Sequence, residues 1–545
     1  MAKELVITEE YTIPRAFKER CQLIPEVLAL ADARGKLTYR QFEEKAGRIA
    51  SGLVNLGIQP GEKIALVLPS DNHYPVAMYG IIQMGAISVG INPTLRPNEF
   101  RHIFTDSEAV AVIVAETFYG VDPLSIIREM RNELPHLRHV IVVGNAQENE
   151  INYQEWLDSS ESMEDYYQAD PDDLAVLVYT SGTTGLPKGS MHSHKTTLRL
   201  TSRGVPDPTL KELLFVLRNY GLAYVWKVYK LKGKSYRIYG STPPYTAAGM
   251  VALLSLNMGG YSFFQTDRYV PEEVLKLVEK ERIHVIGCPP AVGALLLKNP
   301  NLGSYDLSSL VYILLGAAPV PPSLVDEFFD KIGVPIVIGY GASEIFDLAT
   351  STSPLTDSKE QMRETVGKLN PDYEAKVVNE NREPLPLGEV GELVLRGKVK
   401  MMGYYKAEGL TRQTFDEDGW YYTGDLATID KNGYVRIVGR VKDLIIRGGQ
   451  NIYPAEIEDI LITHPKVKQA SVVGIPDAIA GEKVLAFIIP ESGSQPTILE
   501  ILQFCRENMA PYKVPGNVYF VNEFPLNATG KVLKRVLREE AIKKA

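Results

Sequence analysis

The stretch "VYTSGTTGLPKGSMHSH", from Val178 to His194, decides how the rest of the chain is interpreted. It continues the apolar run "DLAVLVY" and gathers small and hydroxyl-bearing residues around one lysine, Lys188. A loop of this kind after a strand can turn backbone N–H groups and hydroxyls towards phosphate. It does not fit the pattern G-x-x-x-x-G-K-[ST], because Gly182 and Gly185 are too close together and Pro187 replaces the second glycine. The stretch therefore predicts a phosphate loop of another type, with a flexible surface turn as the alternative.

The size and charge of the chain limit the possible classes of protein. Its 545 residues exceed what one core supports, so we expect at least two domains. The net charge of −9 argues against nucleic acid as a partner, since phosphate backbones attract basic faces. Three widely spaced cysteines predict neither disulfides nor a zinc cluster and favour a cytoplasmic location. An acidic N-terminus without an apolar core and the lack of long apolar runs allow at most peripheral membrane contact.

Alternating helical and strand patterns indicate an α/β fold in the first part of the chain. The segment from Thr38 to Gly57 predicts a helix, with Thr38 as its cap and Gln41 as the reciprocal partner. Apolar runs such as "KIALVLP" and "HVIVVG" predict buried strands between helices. From about Glu374 the pattern changes to short strands and turns, which indicates a small β-rich subdomain. We expect a large N-terminal domain over residues 1–439 and a small α+β domain over residues 440–545.

Four further motifs follow the first in order along the chain. They are "GYGASE" from Gly339, "YYTGDL" from Tyr421, "GRVKDLIIRGGQNIYPAEIE" from Gly439 and "PLNATGKVLKR" from Pro525. Together with "YTSGTTGLPKG", they closely resemble the signature motifs of the adenylate-forming enzymes, which include acyl- and aryl-CoA synthetases, luciferases and nonribosomal adenylation domains. The resemblance covers nearly the whole chain. It implies ATP-dependent conversion of a carboxylic acid to acyl-AMP with release of pyrophosphate, then transfer to CoA, with ATP, Mg²⁺ and CoA required.

The resemblance also implies which residues hold the nucleotide. Tyr340 would stack on adenine, Asp425 would bind the ribose, and Arg440 would reach ribose or phosphate. Lys188 would support the phosphates, and Mg²⁺ would lie on Thr180 and Glu344. The implied ATP site consists of Thr180, Ser181, Gly182, Thr183, Thr184, Gly185, Lys188, Gly316, Ala317, Ala318, Pro319, Gly339, Tyr340, Gly341, Ala342, Ser343, Asp425 and Arg440.

By the same resemblance, Lys531 is the catalytic lysine of a mobile C-terminal domain, and Glu344 and Lys442 share the catalytic assignment. Lys442 falls at the family's hinge. Gly448 and Gly449 resemble the loop beside the CoA channel, where missing side chains permit close approach.

The acid site departs from the family pattern Pro-x-Phe-His-x-x-Gly. This chain has "PPYTAAG", which places Tyr245 and Thr246 at the Phe and His positions and keeps Gly249. Few charged residues follow Glu344, so a fatty or other apolar acid is expected. An aryl acid flanked by Tyr245 and Phe346, or an acyl-AMP ligase that loads a carrier protein, are alternatives. A non-catalytic binder with this fold is a further class, and a homodimer is possible.

One segment, from Arg218 to Arg237, belongs to none of these motifs. It carries six basic residues, four tyrosines and a tryptophan, with no acid. Such a segment can face an anionic ligand or a membrane surface, or it can be a helical hairpin with a solvated lysine face.

Overall fold

The computed structural model describes residues 5–180, 186–198, 209–231, 234–448, 450–477, 480–526 and 532–544. Contacts divide the chain into two compact units. Unit 1 consists of Met1–Asp372 and Gly397–Phe415, and unit 2 consists of Tyr373–Arg396 and Asp416–Ala545. Unit 2 thus groups the small β-rich segment with the C-terminal module, while the predicted domain boundary at residue 440 stays a prediction.

Unit 1 contains two large sheets. Sheet A has six neighbouring parallel strands at its centre and antiparallel strands at both edges, in the order β16-β15-β14-β13-β12-β10-β11-β1-β2. Its strands are β1 (Leu28–Ala31), β2 (Lys36–Thr38), β10 (Arg237–Gly240), β11 (Ser262–Phe264), β12 (Val285–Cys288), β13 (Tyr312–Leu315), β14 (Ile336–Ala342), β15 (Asp347–Ser351) and β16 (Lys368–Leu369).

Sheet B has the order β19-β9-β8-β4-β3-β5-β6-β7, and β8 to β7 run parallel. Its strands are β3 (Lys63–Val67), β4 (Ile87–Gly90), β5 (Ala111–Ala115), β6 (His139–Val143), β7 (Ile151–Asn152), β8 (Leu174–Thr180), β9 (Lys188–Ser193) and β19 (Gly403–Tyr404). Parallel strands with helical crossovers confirm the α/β prediction for this part of the chain.

The helices of unit 1 cover the faces of both sheets. They are α1 (Ile13–Leu23), α2 (Tyr39–Asn55), α3 (His73–Gln83), α4 (Pro97–Ser107), α5 (Pro123–Met130), α6 (Tyr153–Ser159), α7 (His194–Leu198), α8 (Leu210–Leu231), α9 (Ala247–Met258), α10 (Pro271–Glu281), α11 (Pro290–Leu297), α12 (Pro322–Lys331), α13 (Lys359–Glu364) and α14 (Glu408–Thr414).

Helix α2 shows how local sequence and packing agree. The Thr38 hydroxyl accepts the Gln41 N–H, and the Gln41 side chain accepts the Thr38 N–H, which completes the predicted capping box. The apolar face is fully buried in the largest core, where Phe42 contacts Phe17 and Tyr79 edge to face. This core holds α1, α2 and α3 against sheet B.

Unit 2 contains two antiparallel sheets. Sheet C has the order β17-β18-β20-β21, and sheet D has the order β23-β22-β25-β24 with β26 added in parallel to β25. The strands are β17 (Tyr373–Val378), β18 (Gly391–Gly397), β20 (Tyr421–Ile429), β21 (Val435–Arg440), β22 (Ile445–Arg447), β23 (Gln450–Ile452), β24 (Val467–Asp477), β25 (Gly481–Pro490) and β26 (Asn517–Phe520). The helices are α15 (Pro454–Ile462), α16 (Ile498–Asn508) and α17 (Lys534–Lys544).

Candidate active site

The predicted phosphate loop connects two antiparallel strands. Strands β8 and β9 pair so that Thr180 lies opposite Lys188, and Tyr179 lies opposite Gly189. The usual phosphate loop leads from a strand into a helix, whereas this one returns as a hairpin, which explains why its glycine spacing differs. Five predicted ATP-site residues lie outside the described residues: Ser181, Gly182, Thr183, Thr184 and Gly185.

Helix α4 holds both sides of this hairpin. On one side, the Tyr179 hydroxyl donates to Asp106 Oδ2 at 2.5 Å. On the other, His102 Nε2 donates to the Pro187 carbonyl at 2.8 Å. His102 and Asp106 are four residues apart and therefore lie on one face of α4. Burial and the Asp106 carboxylate raise the pKa of Tyr179, so its hydroxyl keeps the proton it donates. Sequence reasoning missed these contacts because each joins residues more than 70 positions apart.

Glu344 lies in the short turn between β14 and β15. The Ala342 carbonyl accepts the N–H groups of Ile345 and Phe346, which closes the turn. The Glu344 carbonyl accepts the Met401 N–H at 2.7 Å. Its carboxylate Oε1 accepts the Tyr404 hydroxyl at 2.5 Å. Burial and the nearby Glu344 charge raise the pKa of Tyr404.

Tyr404 connects Glu344 to the phosphate hairpin. It belongs to β19, which pairs with β9 so that Tyr404 lies opposite Ser190, two residues after Lys188. The structure therefore brings the end of β14 in sheet A to the start of β9 in sheet B. Nothing in the local sequence around Tyr404 signals this role.

The segment "LLGAAP", from Leu314 to Pro319, lies beside the "GYGASE" motif. Strands β13 and β14 pair in parallel up to Leu315 and Ile338, and a Cβ at Gly316 would come within 3.1 Å of the Gly339 carbonyl. Gly341 has the same constraint, since a Cβ there would lie 1.9 Å from the Asp347 carbonyl. Tyr340 is half-buried in the second of these two segments, and Gly341, Ala342 and Ser343 follow it. At the end of β13, Gly316 precedes Ala317, Ala318 and Pro319.

In unit 2, Asp425 and Arg440 form a cross-strand pair. They lie opposite each other on β20 and β21, with Arg440 Nε 3.2 Å from Asp425 Oδ1. The preceding Gly424 has a φ of 70° and donates its N–H to Glu392 Oε1 at 2.9 Å. Burial and the nearby Asp425 raise the pKa of Glu392, a residue that sequence reasoning missed.

The predicted hinge and CoA-loop residues also lie in unit 2. Lys442 lies on a single 3₁₀ turn, Val441–Asp443, that directly follows β21. Desolvation by surrounding protein and the neighbouring Arg440 lower the pKa of Lys442. Gly448 has a φ of 56° and donates its N–H to the Ala480 carbonyl at 2.7 Å, while Gly449 lies outside the described residues. Lys531 also lies outside them, and Leu526 and Val532 on either side form an antiparallel bridge.

Unit 1 contains a cavity of about 660 Å³ at the carboxyl ends of strands from both sheets. Ligands of open α/β sheets bind at this edge, and the volume is typical of a small-molecule site. Burial raises the pKa of Tyr245, which forms part of the wall. The lining residues are Ser70, Phe118, Tyr119, Gly120, Tyr239, Ser241, Pro243, Tyr245, Thr266, Asp267, Arg268 and Tyr269.

The other two predicted acid-site residues, Thr246 and Gly249, lie at the start of α9. The Thr246 hydroxyl donates to the Pro243 carbonyl at 2.7 Å and accepts the Gly249 N–H at 3.2 Å, which caps α9. A Cβ at Gly249 would lie 2.0 Å from the Pro243 carbonyl. Close packing in this turn therefore accounts for the glycine. Phe346 is fully buried against His192, at 4.2 Å between ring centroids.

Comparison with known proteins identifies the class to which this fold and site belong. The family model described as AMP-binding enzyme matches residues 17–405, and that of the AMP-binding enzyme C-terminal domain matches residues 456–531. The chain therefore belongs to the AMP-binding enzyme family.

Its relatives narrow the activity. The chain is 32% identical to a mitochondrial medium-chain acyl-CoA ligase of Danio rerio, over 93% of this chain and 84% of the relative. It is 32% identical to a feruloyl-CoA synthase of an Amycolatopsis species, over 95% of this chain and 97% of the relative. The crystal structure of an anthranilate CoA ligase in complex with anthranoyl-AMP superimposes with a TM-score of 0.86 at 29% identity. The superposition covers 99% of this chain and 98% of the ligase. The chain is an AMP-forming acid–CoA ligase that uses ATP, Mg²⁺ and CoA.

The described residues fit the expected magnesium ion. Among them, no group of three or more His, Cys, Asp or Glu side chains is placed to hold a metal. Mg²⁺ commonly takes one or two carboxylates together with substrate phosphates and waters. Glu344, whose carboxylate accepts from Tyr404 near the phosphate hairpin, is a carboxylate of the kind that such a site uses. Among the residues that the structure describes, none of the helices combines the length and the apolar composition that crossing a membrane requires.

Proposed function

We propose that this ligase activates an apolar monocarboxylic acid, of the fatty acid type, that binds in the Tyr245 cavity of unit 1. The observation that carries this proposal is the cavity itself, because tyrosine and phenylalanine side chains form much of its wall. It lies at the carboxyl ends of β10 and β11, and Gly316 and Tyr340 lie at the same edge of sheet A, at the ends of β13 and β14. Strands β14 and β10 are three positions apart in sheet A, or roughly 14 Å at the usual strand spacing. An acid seated beside β10 can thus direct its carboxylate towards a nucleotide beside β14.

In the proposed first step, a carboxylate oxygen of the acid attacks the α-phosphorus of ATP. The bond from that phosphorus to the bridging oxygen breaks, and pyrophosphate leaves. Lys188 and the residues Thr180–Gly185 bind the departing phosphates. Tyr340 stacks on adenine beside the segments Gly316–Pro319 and Gly339–Ser343. Glu344 and Thr180 would hold Mg²⁺, which would offset phosphate charge when bound. Stabilising developing charge with groups already in place is usually the largest part of catalysis.

In the second step, the CoA thiol attacks the acyl carbonyl, and AMP leaves. We propose that the domain from residue 440 onwards changes position between the steps, with the hinge at Lys442 and the thiol passing Gly448 and Gly449. Lys531 serves the first step. The Asp425–Arg440 pair supports these roles in unit 2, since a carboxylate and a guanidinium at the end of one hairpin can bind ribose hydroxyls and phosphate.

An aromatic acid is the second candidate, favoured by Tyr245 in the cavity wall. The feruloyl-CoA synthase and the anthranilate ligase, similar over nearly the whole chain, act on such acids by name. The fully buried Phe346 packs on His192, so the aromatic character of the site comes from the cavity tyrosines.

Acid-dependent ATP–pyrophosphate exchange, measured over a panel of acids with and without CoA, tests the proposal. The panel contains saturated monocarboxylic acids of increasing length, substituted benzoic and cinnamic acids, and dicarboxylic acids of matched length. Dicarboxylic acids belong in the panel because Arg268 lines the cavity. We expect exchange and thioester formation to be highest with long monocarboxylic acids. A preference for aromatic acids would support the second candidate, and a preference for dicarboxylic acids would refute both.

Three expectations from the sequence also stay proposals. If exchange occurs but no CoA thioester forms, and an added carrier protein becomes acylated, the acceptor is that protein instead of CoA. A homodimer is checked by light scattering over a range of concentrations, and a cytoplasmic location by fractionation of the source cells.

A further inference from the structure

Helix α8 has a face that unit 1 does not cover. Its opposite face is packed, because Val216 and Tyr224 are buried with Val311, which directly precedes β13 of sheet A. The Tyr224 hydroxyl donates to the Val311 carbonyl at 3.1 Å, and Lys227 Nζ donates to the Leu310 carbonyl at 2.8 Å. Helix α8 is thus anchored to the protein along one side, and its other side faces solvent.

The solvent face of α8 carries two matching apolar stripes. Gly221, with φ 79° and ψ 170°, divides the helix into two segments. In each segment, apolar residues recur at positions i, i+4 and i+7, which places them on one face. Their exposed fractions are Leu210 74%, Leu214 57%, Leu217 41%, Leu222 73%, Trp226 56% and Tyr229 64%. Each segment thus exposes three large apolar side chains on one face, and exposed apolar sets of this kind commonly mark a binding surface.

Positive charge borders these stripes on one flank. Lys211, Arg218 and Lys230 are exposed, and each directly follows a stripe residue, so each lies about 100° further round the helix. The Lys230 ammonium lies 5.4 Å from the centre of the Trp226 ring. Trp226 in turn stacks on Tyr229 at 5.7 Å. The acid in α8, Glu212, is occupied at the start of the helix, where its carboxylate accepts from Thr209.

We propose that the outer face of α8 binds the surface of an anionic lipid bilayer. The chain carries a net charge of −9, so a local cluster of cations without exposed acids indicates an anionic partner. Leucine with tryptophan and tyrosine beside lysine and arginine is typical of helices that lie in the interface of a membrane. The apolar stripe enters the boundary between head groups and acyl chains, and the cations contact the head groups. This inference does not depend on which acid the enzyme activates.

Vesicle sedimentation tests the proposal directly. The full-length enzyme is mixed with vesicles of phosphatidylcholine alone, or with one third phosphatidylglycerol, at low and high salt. We expect binding to the anionic vesicles that weakens at high salt and little binding to the neutral ones. The variant Leu222→Ser/Trp226→Ser should bind at least tenfold more weakly. The variant Arg218→Gln/Lys230→Gln should lose most of the salt dependence.

A matched control separates this face from general surface apolarity. Ile498→Ser/Leu499→Ser changes two exposed apolar residues on α16 and should bind vesicles as the wild type does. All variants should keep their melting temperature and their activity with a short, water-soluble acid. Absence of vesicle binding, or equal losses in the α8 and α16 variants, would overturn the proposal. An α8-dependent dimer without vesicle binding would also overturn it, because the face would then bind a second copy.

Discussion

At the scale of single residues, the most informative contact is the hydrogen bond from Tyr404 to Glu344. A hydroxyl that donates to a metal-binding carboxylate fixes the direction of the oxygen that remains for the metal. Glu344 was recognisable from its motif, whereas Tyr404 lies 60 residues away and carries no local signal. The proposed magnesium site therefore consists of a predicted ligand and an unpredicted partner.

The Tyr404→Phe substitution tests this partnership. It removes only the hydroxyl, and partners of metal ligands typically contribute 10–100-fold to metal affinity. We expect a roughly tenfold or larger increase in the Mg²⁺ concentration that gives half-maximal adenylation. At saturating Mg²⁺ the rate should largely recover. An unchanged Mg²⁺ titration would show that the hydrogen bond does not orient Glu344.

A second residue-scale observation concerns His194, at the start of α7. Its Nδ1 accepts the Ile13 N–H at 3.2 Å, and burial lowers its pKa to about 4. This contact joins α7 to α1 and gives the histidine a structural reason for its burial. The ring is neutral in the folded enzyme and takes up a proton more readily once the chain unfolds.

His194 should therefore make the enzyme sensitive to acid. As the pH falls from about 6.5 towards 4, the unfolded state binds a proton that the folded state does not, so stability decreases. Between pH 7 and 5 we expect His194 to account for about 2 kcal/mol of this loss. Denaturant unfolding of the His194→Asn variant, whose amide oxygen can still accept the Ile13 N–H, should show a correspondingly smaller loss. A loss identical to that of the wild type would contradict the assignment.

At the scale of elements, α4 is the support of the phosphate hairpin. It holds Tyr179 through Asp106 and Pro187 through His102, one turn apart, so both strands of the hairpin are fixed to one rigid helix. The segment between them is rich in glycine and hydroxyl-bearing residues, and α4 fixes the positions of the strands that lead into it and out of it.

The Tyr179→Phe substitution should weaken the attachment of the hairpin to α4, because it removes the hydrogen bond to Asp106. A hydrogen bond to a charged group contributes about 1.5–3 kcal/mol. We expect the KM for ATP to rise roughly tenfold, with a smaller change in kcat, because the hairpin binds phosphates in both ground and transition states. Steady-state kinetics at varied ATP measures this split. Tyr166→Phe, at a partly exposed tyrosine away from the hairpin, serves as the control. Equal kinetics for both variants would refute the role of α4.

At the scale of the whole molecule, local patterns predicted the elements but not their assembly. Periodicity and capping residues identified α2, and apolar runs identified β3 and β6, because these signals are contained within one segment. Family motifs predicted site roles for Tyr340, Glu344, Asp425 and Arg440, and these roles stay predictions. The contacts of Tyr404, His102 and Asp106 depend on strand pairing over long sequence separations, which a single sequence does not encode locally. The same limit applies to the cavity, which is built from loops of two sheets.

The cavity allows a direct test of whether the acid binds beside Tyr245 in unit 1. The measurement is kcat/KM for thioester formation over a series of acids of increasing length, for the wild type and Tyr245→Leu. Tyr236→Leu, at a tyrosine outside the described lining, controls for general destabilisation. One methylene in an apolar pocket changes kcat/KM by about 10-fold or more. We expect Tyr245→Leu to raise kcat/KM for a larger acid, relative to the acid that the wild type prefers, by at least that factor. An unchanged order of acids in a folded, active Tyr245→Leu variant would contradict this expectation.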